Sequence, residues 1–501
     1  MNDSNGCTRR TFLARASALT VAPFGWGLPT SPVSAQGSLT DLTAVQAVSA
    51  MRAGDMKAED YAKVLLARCE SLRHLNAFIT LDAQKVLSAA RNADRTRARG
   101  ASLGVLHGLP VPIKDSINTK DLPTTAGTPA LRNFRPRADA PVAKALFDAG
   151  AIALGKTNLH ELSFGWTSIN TNFGAVRNPY DQAYIPGGSS GGTAVAVAAR
   201  MAPAGLAEDT CGSVRVPAAL SGIAGFRPSS TRWPVEGVAP LTTVFDTLGP
   251  HARSVGDLAL FDAVVTGNTT PPARGSLRGV RLGVIRDFFY ATLDPEVERV
   301  AGSALQRLRD AGAELVEGSI PELEKLWATA TFPIIQHETR PSITDYLAKY
   351  DTGVSWDALL EQASDDLKHD FGLFVLDDAT YRAPREAYEE ARTIHRPALQ
   401  NAFRRYFGES AVSAIVYPAT MVPALPIDGE ALKTGEVDIQ GNKVPFFVAI
   451  SRNIAPASTA GIPGLVLPAG LTRQGLPVGI EFDAPEMRDG DLLALGFALE
   501  R

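Results

Sequence analysis

Cysteine is scarce in this sequence, and neither sign of charge is in marked excess. The 501 residues include three cysteines, Cys7, Cys69 and Cys211, whose spacing matches neither a zinc site nor a disulfide framework. The formal net charge is only −4, and no long run of lysine and arginine is present to follow a phosphate backbone. These absences argue against a disulfide scaffold and against a nucleic-acid partner, so the fold must depend on its hydrophobic core.

Histidine is also infrequent, and its pattern excludes the common metal sites. The seven histidines show no H-E-x-x-H or comparable spacing. Three of them, His74, His369 and His395, lie in charged helical patterns and are predicted to be solvated. The other four are interpreted as structural residues: His107, His160, His251 and His337. We therefore expect neither a metal ion nor another cofactor.

No uninterrupted apolar run is long enough for a membrane span, which needs about 20 residues. The first 35 residues instead resemble a twin-arginine export signal, with Arg9-Arg10 ahead of a weakly apolar stretch, 14–28. Small residues at Val33-Ser34-Ala35 predict cleavage after Ala35. We expect a periplasmic or secreted protein without stable membrane insertion after cleavage. The alternative is a cytoplasmic chain whose terminus happens to contain two arginines.

The full sequence has the composition of a globular protein, with 45% hydrophobic and 20% charged residues, and the fold is sought in the remainder, 36–501. Between 107 and 254 short apolar runs alternate with turn-rich segments, and similar runs return at 414–417 and 464–468. This alternation predicts an α/β fold with a largely buried mixed sheet. The interval 322–407 is helical and charged in pattern, and is predicted to be an inserted cap.

A loop rich in glycine and serine, residues 186–192, is the most unusual stretch of the sequence. Residues 187–191 fit the G-x-S-x-G elbow of hydrolases, but that motif needs a hydrophobic strand directly upstream, and residues 177–182 are polar. A phosphate-binding loop is also a poor match, because its terminal lysine is missing. A flexible linker is the remaining structural alternative.

Two further polar segments accompany this loop, at 209–217 and 112–116, and together the three offer serines and a lysine. A serine hydroxyl attacks an amide only if a base removes its proton, and a lysine whose pKa is lowered by burial can act as that base. Lys114 follows the apolar residues 111–113 and is placed to be desolvated. The alternative for Lys114 is a salt bridge with Asp115 at the end of a strand.

Four motifs in order and spacing identify a resemblance to the amidase signature family: 108–115, 155–158, 187–192 and 209–217. Ser213 follows Ser189 by 24 residues, which is the spacing of that family's two serines. The resemblance covers the chain from Leu39 to its end. It implies an α/β fold in which helices flank both faces of a mixed central sheet.

The resemblance implies a catalytic triad of Ser213 as nucleophile, Ser189 as bridging serine on a cis peptide bond, and Lys114 as base. Lys114 would take a proton from Ser189, which takes one from Ser213, and the relay would reverse to protonate the leaving amine. An acyl-enzyme forms between the two halves of the reaction. The oxyanion hole is expected from the backbone N–H groups of Thr210, Cys211, Gly212 and Ser213.

The same resemblance gives supporting roles to Asp209 and Arg215, which brace the loop, and to the hydroxyl of Ser190. Residues 207–213 depart from the family pattern Gly-Thr-Asp-Thr-Gly-Gly-Ser at Cys211, which replaces a glycine, and at Glu208, which adds a carboxylate. Both changes bear on rate and specificity rather than on the type of reaction.

Motifs at 160–165, 174–179 and 460–465 resemble the subgroup that hydrolyses indoleacetamide and mandelamide. This implies a small-molecule substrate, a primary amide of an arylacetic acid, with release of ammonia. Phe164, Trp166 and Phe446 are candidate pocket aromatics or plain core residues. A homodimer is compatible with the sequence. Two other functions stay open: the ammonia-generating subunit of a tRNA-dependent amidotransferase, and a binding relative that has lost turnover.

Overall fold

The computed structural model describes residues 38–268 and 275–500. The predicted export signal and the cleavage site after Ala35 lie outside the described residues. Among the helices of the described ranges, none combines the length and the apolar character needed to span a bilayer.

A mixed sheet forms the centre of the described chain. In chain order the strands are β1 (Phe78–Thr80), β2 (Pro110–Lys114), β3 (Ile152–Thr157), β4 (Ala204–Asp209), β5 (Ala224–Arg227), β6 (Thr247–Ala252), β7 (Arg281–Ile285), β8 (Glu314–Gly318), β9 (Ala414–Pro418), β10 (Glu436–Ile439), β11 (Asn442–Pro445), β12 (Gly464–Leu471) and β13 (Pro477–Asp483).

Eleven of these strands pair in the order β1-β3-β2-β4-β6-β5-β12-β13-β9-β7-β8, and β10 and β11 form a separate hairpin. β2 runs parallel to β3 and β4, and β7 runs parallel to β8 and β9. The pairs from β4 through β6, β5, β12 and β13 to β9 are antiparallel. The prediction of an α/β fold with a mixed central sheet is therefore confirmed.

Helices alternate with these strands through the described chain. They are α1 (Ala44–Ala53), α2 (Ala58–Ser71), α3 (Ala83–Ala98), α4 (Pro141–Asp148), α5 (Gly191–Ala198), α6 (Arg215–Ser221), α7 (Val255–Thr266), α8 (Arg286–Phe289), α9 (Pro295–Asp310), α10 (Leu323–Lys349), α11 (Trp356–Gln362), α12 (Asp365–Phe374), α13 (Arg385–Glu390), α14 (Arg396–Ser410), α15 (Glu430–Thr434), α16 (Phe446–Ser451), α17 (Ala455–Ala460) and α18 (Asp489–Leu499).

Local sequence explains why α9 forms where it does. Asp294 caps its N-terminus by accepting a hydrogen bond from the backbone N–H of Glu296, and Pro295 occupies the first helical position. Val297, Val300 and Ala304 recur at three- and four-residue spacing and are buried. The helix therefore packs its apolar side inward, while Glu298 and Arg309 lie exposed.

The interval predicted as a cap, 322–407, contains α10 to α13 and most of α14, with a π-helical turn at Ala391–His395 between the last two. Thr331 of α10 shares a 2.7 Å hydrogen bond with Thr459 of α17. A hydrophobic cluster that includes Cys211, Phe245 and Trp327 continues this contact. The helical interval is thereby packed against the segment that carries the Ser213 loop.

Gly249 of β6 provides a test of the close strand packing at the middle of the sheet. A Cβ atom at this position would lie 2.0 Å from the carbonyl oxygen of Phe226 in β5. Since neither backbone can yield without disturbing the sheet, Gly249→Ala should lower the free energy of unfolding by about 1–3 kcal/mol. The measurement is a denaturant unfolding curve compared with that of the unmodified protein.

Gly302→Ala is the matched control for this substitution. Gly302 lies inside α9, and a Cβ there meets nothing within 4 Å. Alanine should stabilise the helix by about 0.5–1 kcal/mol because it restricts the unfolded chain. Equal stabilities of the two variants would contradict the packing described for β5 and β6.

Candidate active site

Two neighbouring parallel strands and one helix bring the predicted catalytic segments together. Lys114 is the last residue of β2, and Asp209 is the last residue of β4. Because β2 and β4 run parallel, their carboxyl ends reach the same edge of the sheet. Ser189 and Ser190 directly precede α5, which packs on both strands.

Lys114 is fully buried and contacts both of the side chains that face it across this edge. Its Nζ donates a 2.6 Å hydrogen bond to Ser189 Oγ and forms a short ion pair with Glu208. Ser189 Oγ lies 3.5 Å from the same carboxylate oxygen of Glu208. Burial lowers the pKa of Lys114, while the charge of Glu208 opposes this shift.

The alternative partner for Lys114, Asp115, is engaged elsewhere. Its carboxylate lies 3.1 Å from Nζ of Lys156, with both side chains fully buried. Thr125 also donates its backbone N–H to Asp115, at 3.1 Å. Lys114 thus pairs with Glu208 rather than with Asp115, and Asp115 pairs with Lys156.

The loop that presents Ser189 is fixed by its backbone. The peptide bond between Gly188 and Ser189 is cis, as the family resemblance implies. The carbonyl of Ser189 accepts hydrogen bonds from the N–H of His160, at 3.1 Å, and from the hydroxyl of Ser168, at 3.2 Å. Ser190 donates its hydroxyl to the carbonyl of Glu208, at 3.1 Å, which ties this loop to β4.

Asp209 organises the loop that carries Ser213. Its carboxylate accepts the backbone N–H groups of Gly212, at 2.8 Å, and Val214, at 3.0 Å. It also pairs with Arg215 at 3.1 Å and with Arg227 at 2.9 Å. Burial alone would raise the pKa of Asp209, but the two guanidinium charges outweigh it and hold that pKa well below its usual range.

Ser213 is buried at the end of this loop, with its backbone just ahead of α6. Of the four predicted oxyanion donors, the N–H of Gly212 is directed to Asp209. The N–H groups of Thr210, Cys211 and Ser213 make no hydrogen bond within the described part of the chain. Those three amides are therefore free to donate a hydrogen bond to another group.

Buried residues of β13 and β9 support Arg215. Its Nη1 donates to Glu481 of β13 at 2.7 Å. Asp483 on the same strand is hydrogen-bonded by the hydroxyl of Tyr417. Burial raises the pKa of Asp483 to about 6, and raises that of Glu481 as well. The bracing role expected of Arg215 thus extends to the C-terminal strand of the sheet.

The three candidate pocket aromatics occupy different places. Trp166 donates its indole N–H to the carbonyl of Cys211 at 3.0 Å and so contacts the Ser213 loop. Phe164 packs edge-on against Phe371 of α12, with ring centroids 5.1 Å apart. Phe446 begins α16 and packs against the main core.

Sequence patterns gave no sign of Asp246, which lies just before β6. Its carboxylate accepts the backbone N–H groups of Leu241, at 2.7 Å, and Thr242, at 2.9 Å. Burial raises the pKa of Asp246 to about 6, and the charge of Glu208 adds to this shift. Asp246 and Glu208 line one small cavity of about 40 Å³. The turn has no motif, so only the fold reveals this second acidic group beside Lys114.

Comparison with known proteins finds relatives that align with most of this chain. A family model described as Amidase matches residues 60–493. The chain is 38% identical over 457 residues to the indoleacetamide hydrolase of Agrobacterium vitis, covering 91% of this chain and 96% of the relative. It is 37% identical over 475 residues to the mandelamide hydrolase of Pseudomonas putida, covering 92% of this chain and 91% of the relative.

The fold is similar to that of the native peptide amidase from Stenotrophomonas maltophilia, with a TM-score of 0.78 and 29% identity. That match covers 92% of this chain and 96% of the other. Fold and relatives together define an amide hydrolase built on a mixed α/β sheet. The chain belongs to the amidase signature family, as its motifs indicated.

Replacing Asp209 tests how far the Ser213 loop depends on one buried charge. Asp209→Asn keeps the shape of the side chain but leaves Arg215 and Arg227 with less compensation. We expect the free energy of unfolding to fall by about 3–5 kcal/mol, the range for breaking a buried ion pair from one side. Denaturant unfolding of the variant measures the loss.

Asp351→Asn is the control, because it removes a carboxylate from an exposed pair. Asp351 lies 2.6 Å from Arg137, and both side chains are largely exposed. Exposed pairs contribute little to stability, so its unfolding curve should match that of the unmodified protein. Similar losses in both variants would show that Asp209 has no special structural role.

Proposed function

We propose that this enzyme hydrolyses a primary amide of the arylacetamide type to the acid and ammonia, through an acyl-enzyme on Ser213. The observation that carries the proposal is the 2.6 Å hydrogen bond between Lys114 and Ser189 in fully buried surroundings. A lysine held this way can move a proton between buried groups, which a solvated lysine at neutral pH does poorly.

The reaction uses the two serines in sequence. Lys114 accepts the proton of Ser189 Oγ as Ser189 accepts that of Ser213, and Ser213 Oγ attacks the amide carbonyl. The backbone N–H groups of Thr210, Cys211 and Ser213 stabilise the oxyanion, and loss of one such donor costs about 3 kcal/mol. The protons then return along the same path to the leaving nitrogen. Water hydrolyses the acyl-enzyme in a second, equivalent half-reaction.

The substrate class rests on the relatives and on the surroundings of the loop. The two hydrolases reported above are named for arylacetamides, and each aligns with more than nine-tenths of this chain. Trp166 and the cluster of apolar side chains around Cys211 place aromatic surface beside Ser213. Aromatic surface of this kind favours a substrate with a ring over an aliphatic amide.

Substitution of the triad gives the direct test. Ser213→Ala and Lys114→Ala should each abolish ammonia release from phenylacetamide and indoleacetamide, and Ser189→Ala should slow it severely. All three should keep the circular dichroism spectrum of the unmodified enzyme. Lys144→Ala, which changes an exposed lysine paired with Asp148, is the control and should retain full activity. Near-normal turnover by Lys114→Ala would refute the relay.

The other two functions give different results in the same preparations. An ammonia-generating amidotransferase subunit would co-purify with partner subunits and release ammonia only in their presence. A binding relative would neither turn over any amide in a panel of aryl and aliphatic amides, anilides and esters, nor react with a fluorophosphonate. Hydrolysis of arylacetamides by the purified single chain excludes both.

We also propose export through the twin-arginine signal in residues 1–35, with the mature enzyme acting outside the cytoplasm. The order of paired arginines, apolar stretch and small residues at the cleavage site supports this. Replacing Arg9 and Arg10 by lysine together should retain the full-length chain in the cytoplasmic fraction of an expressing bacterium. Unchanged fractionation of this double variant would overturn the export proposal.

A further inference from the structure

Glu208 occupies a position that the triad mechanism leaves unused. Its side chain is buried, and its carboxylate contacts Lys114 directly. The same oxygen lies 3.5 Å from Ser189 Oγ, so Lys114, Ser189 and Glu208 form a closed triangle of polar atoms. If Lys114 changes its protonation during the reaction, a buried carboxylate in contact with it must affect the energy of that change.

We propose that Glu208 is a positioning residue that holds Lys114 as an ammonium and receives the proton that Lys114 gives up during attack. The proposal deepens the function proposed above and rests on it. Lys114 then passes a proton on from Ser189 to Glu208, and its own charge is the same before and after the step.

Ser213 Oγ forms its bond to the carbonyl carbon and passes its proton to Ser189, which passes its own proton to Lys114 Nζ. Lys114 has by then released a different proton to the carboxylate of Glu208, because an ammonium nitrogen has no lone pair with which to accept one. Glu208 becomes neutral, and its negative charge reappears on the oxyanion. When the C–N bond breaks, the path reverses, the nitrogen leaves as ammonia, and Glu208 regains its charge.

The charged groups that face Lys114 from other elements are compatible with this assignment. Asp209, next to Glu208 on β4, is compensated by Arg215 and Arg227 and is not available as an acceptor. Asp246 lies on the turn before β6 and lines the same small cavity as Glu208. When charged, it repels the charge of Glu208 and so favours transfer of a proton onto that carboxylate.

Two histidines complete the surroundings, and neither competes for the proton. His251 of β6 directs its Nε2 to the carbonyl of Val214 at 2.6 Å, and His160 directs its Nδ1 to the hydroxyl of Thr167 at 3.1 Å. Burial lowers the pKa of each imidazole to about 4. Both are therefore neutral across the working range, and any change of rate with pH above this value comes from other groups.

The proposal has a clear signature in the pH dependence of Ser213 reactivity. With Glu208 present, the ammonium form of Lys114 is active, because the carboxylate accepts the proton that Lys114 releases. Without the carboxylate, Lys114 works only when it is neutral, a form that becomes populated as pH rises. Removal of the carboxylate must therefore move the acidic limb of the profile to higher pH.

The experiment measures the rate constant for labelling of Ser213 by a fluorophosphonate between pH 5 and 10, since this reagent needs no knowledge of the natural substrate. For Glu208→Gln we expect the acidic limb to move up by at least about one pH unit, which is about a tenfold loss of rate within the shifted range. Glu208→Asp, which keeps a carboxylate, should retain the limb of the unmodified enzyme at a lower maximal rate.

Asp246→Asn provides a second variant, and it serves if Glu208→Gln does not fold. In the unmodified enzyme Asp246 is charged mainly above about pH 6, so its replacement should slow labelling above that pH and leave the rate at pH 5 unchanged. An unmoved limb in Glu208→Gln, or a rate reduced equally at every pH, would overturn the inference and assign Glu208 a structural role. An unchanged rate above pH 6 in Asp246→Asn would overturn it as well.

Failure of the proposed function gives a different result from failure of the inference. If the unmodified enzyme is not labelled, or if Ser213→Ala is labelled equally, the serine mechanism is wrong and the role of Glu208 falls with it. If labelling requires Ser213 but its pH dependence is the same in Glu208→Gln, the proposed hydrolase function is retained and only the role of Glu208 is refuted.

Discussion

The carboxylate of Asp209 is the point on which the rest of the site depends. One buried side chain accepts two backbone N–H groups of the Ser213 loop and pairs with two guanidinium groups. Because a lone buried charge is costly, none of these partners can leave without penalty to the others. The shape of the loop, and with it the direction of its three free amides, follows from this compensation of charge.

Lys114 and Glu208 form a second buried pair with a different character. Asp209 is held by two guanidinium groups that do not give up protons, so its charge is fixed, whereas a buried lysine can change its protonation. In the mechanism proposed here, the edge of the sheet at β2 and β4 thus combines fixed charges around Asp209 with a pair, Lys114 and Glu208, that exchanges a proton. Both are shielded from water, which strengthens each interaction.

Much of this could be predicted from sequence, because Gly-rich loops and the spacing of Ser189 and Ser213 are local signals. The α/β class and strands such as β9 also followed from short apolar runs. β4 was harder to recognise, since Ala204–Asp209 mixes small and acidic residues although all are buried. The partner of Lys114 and the presence of Asp246 depend on which strands are neighbours, and no local pattern encodes that.

The contact between Arg215 and Glu481 joins residues that are 266 positions apart. The brace behind the Ser213 loop is therefore missing until the penultimate segment of the chain has been made and β13 has entered the sheet. A chain still under synthesis contains Ser213 without the support that shapes its loop. The Ser213 loop is therefore fully supported only once the sheet is complete, and the loop sequence alone does not provide that support.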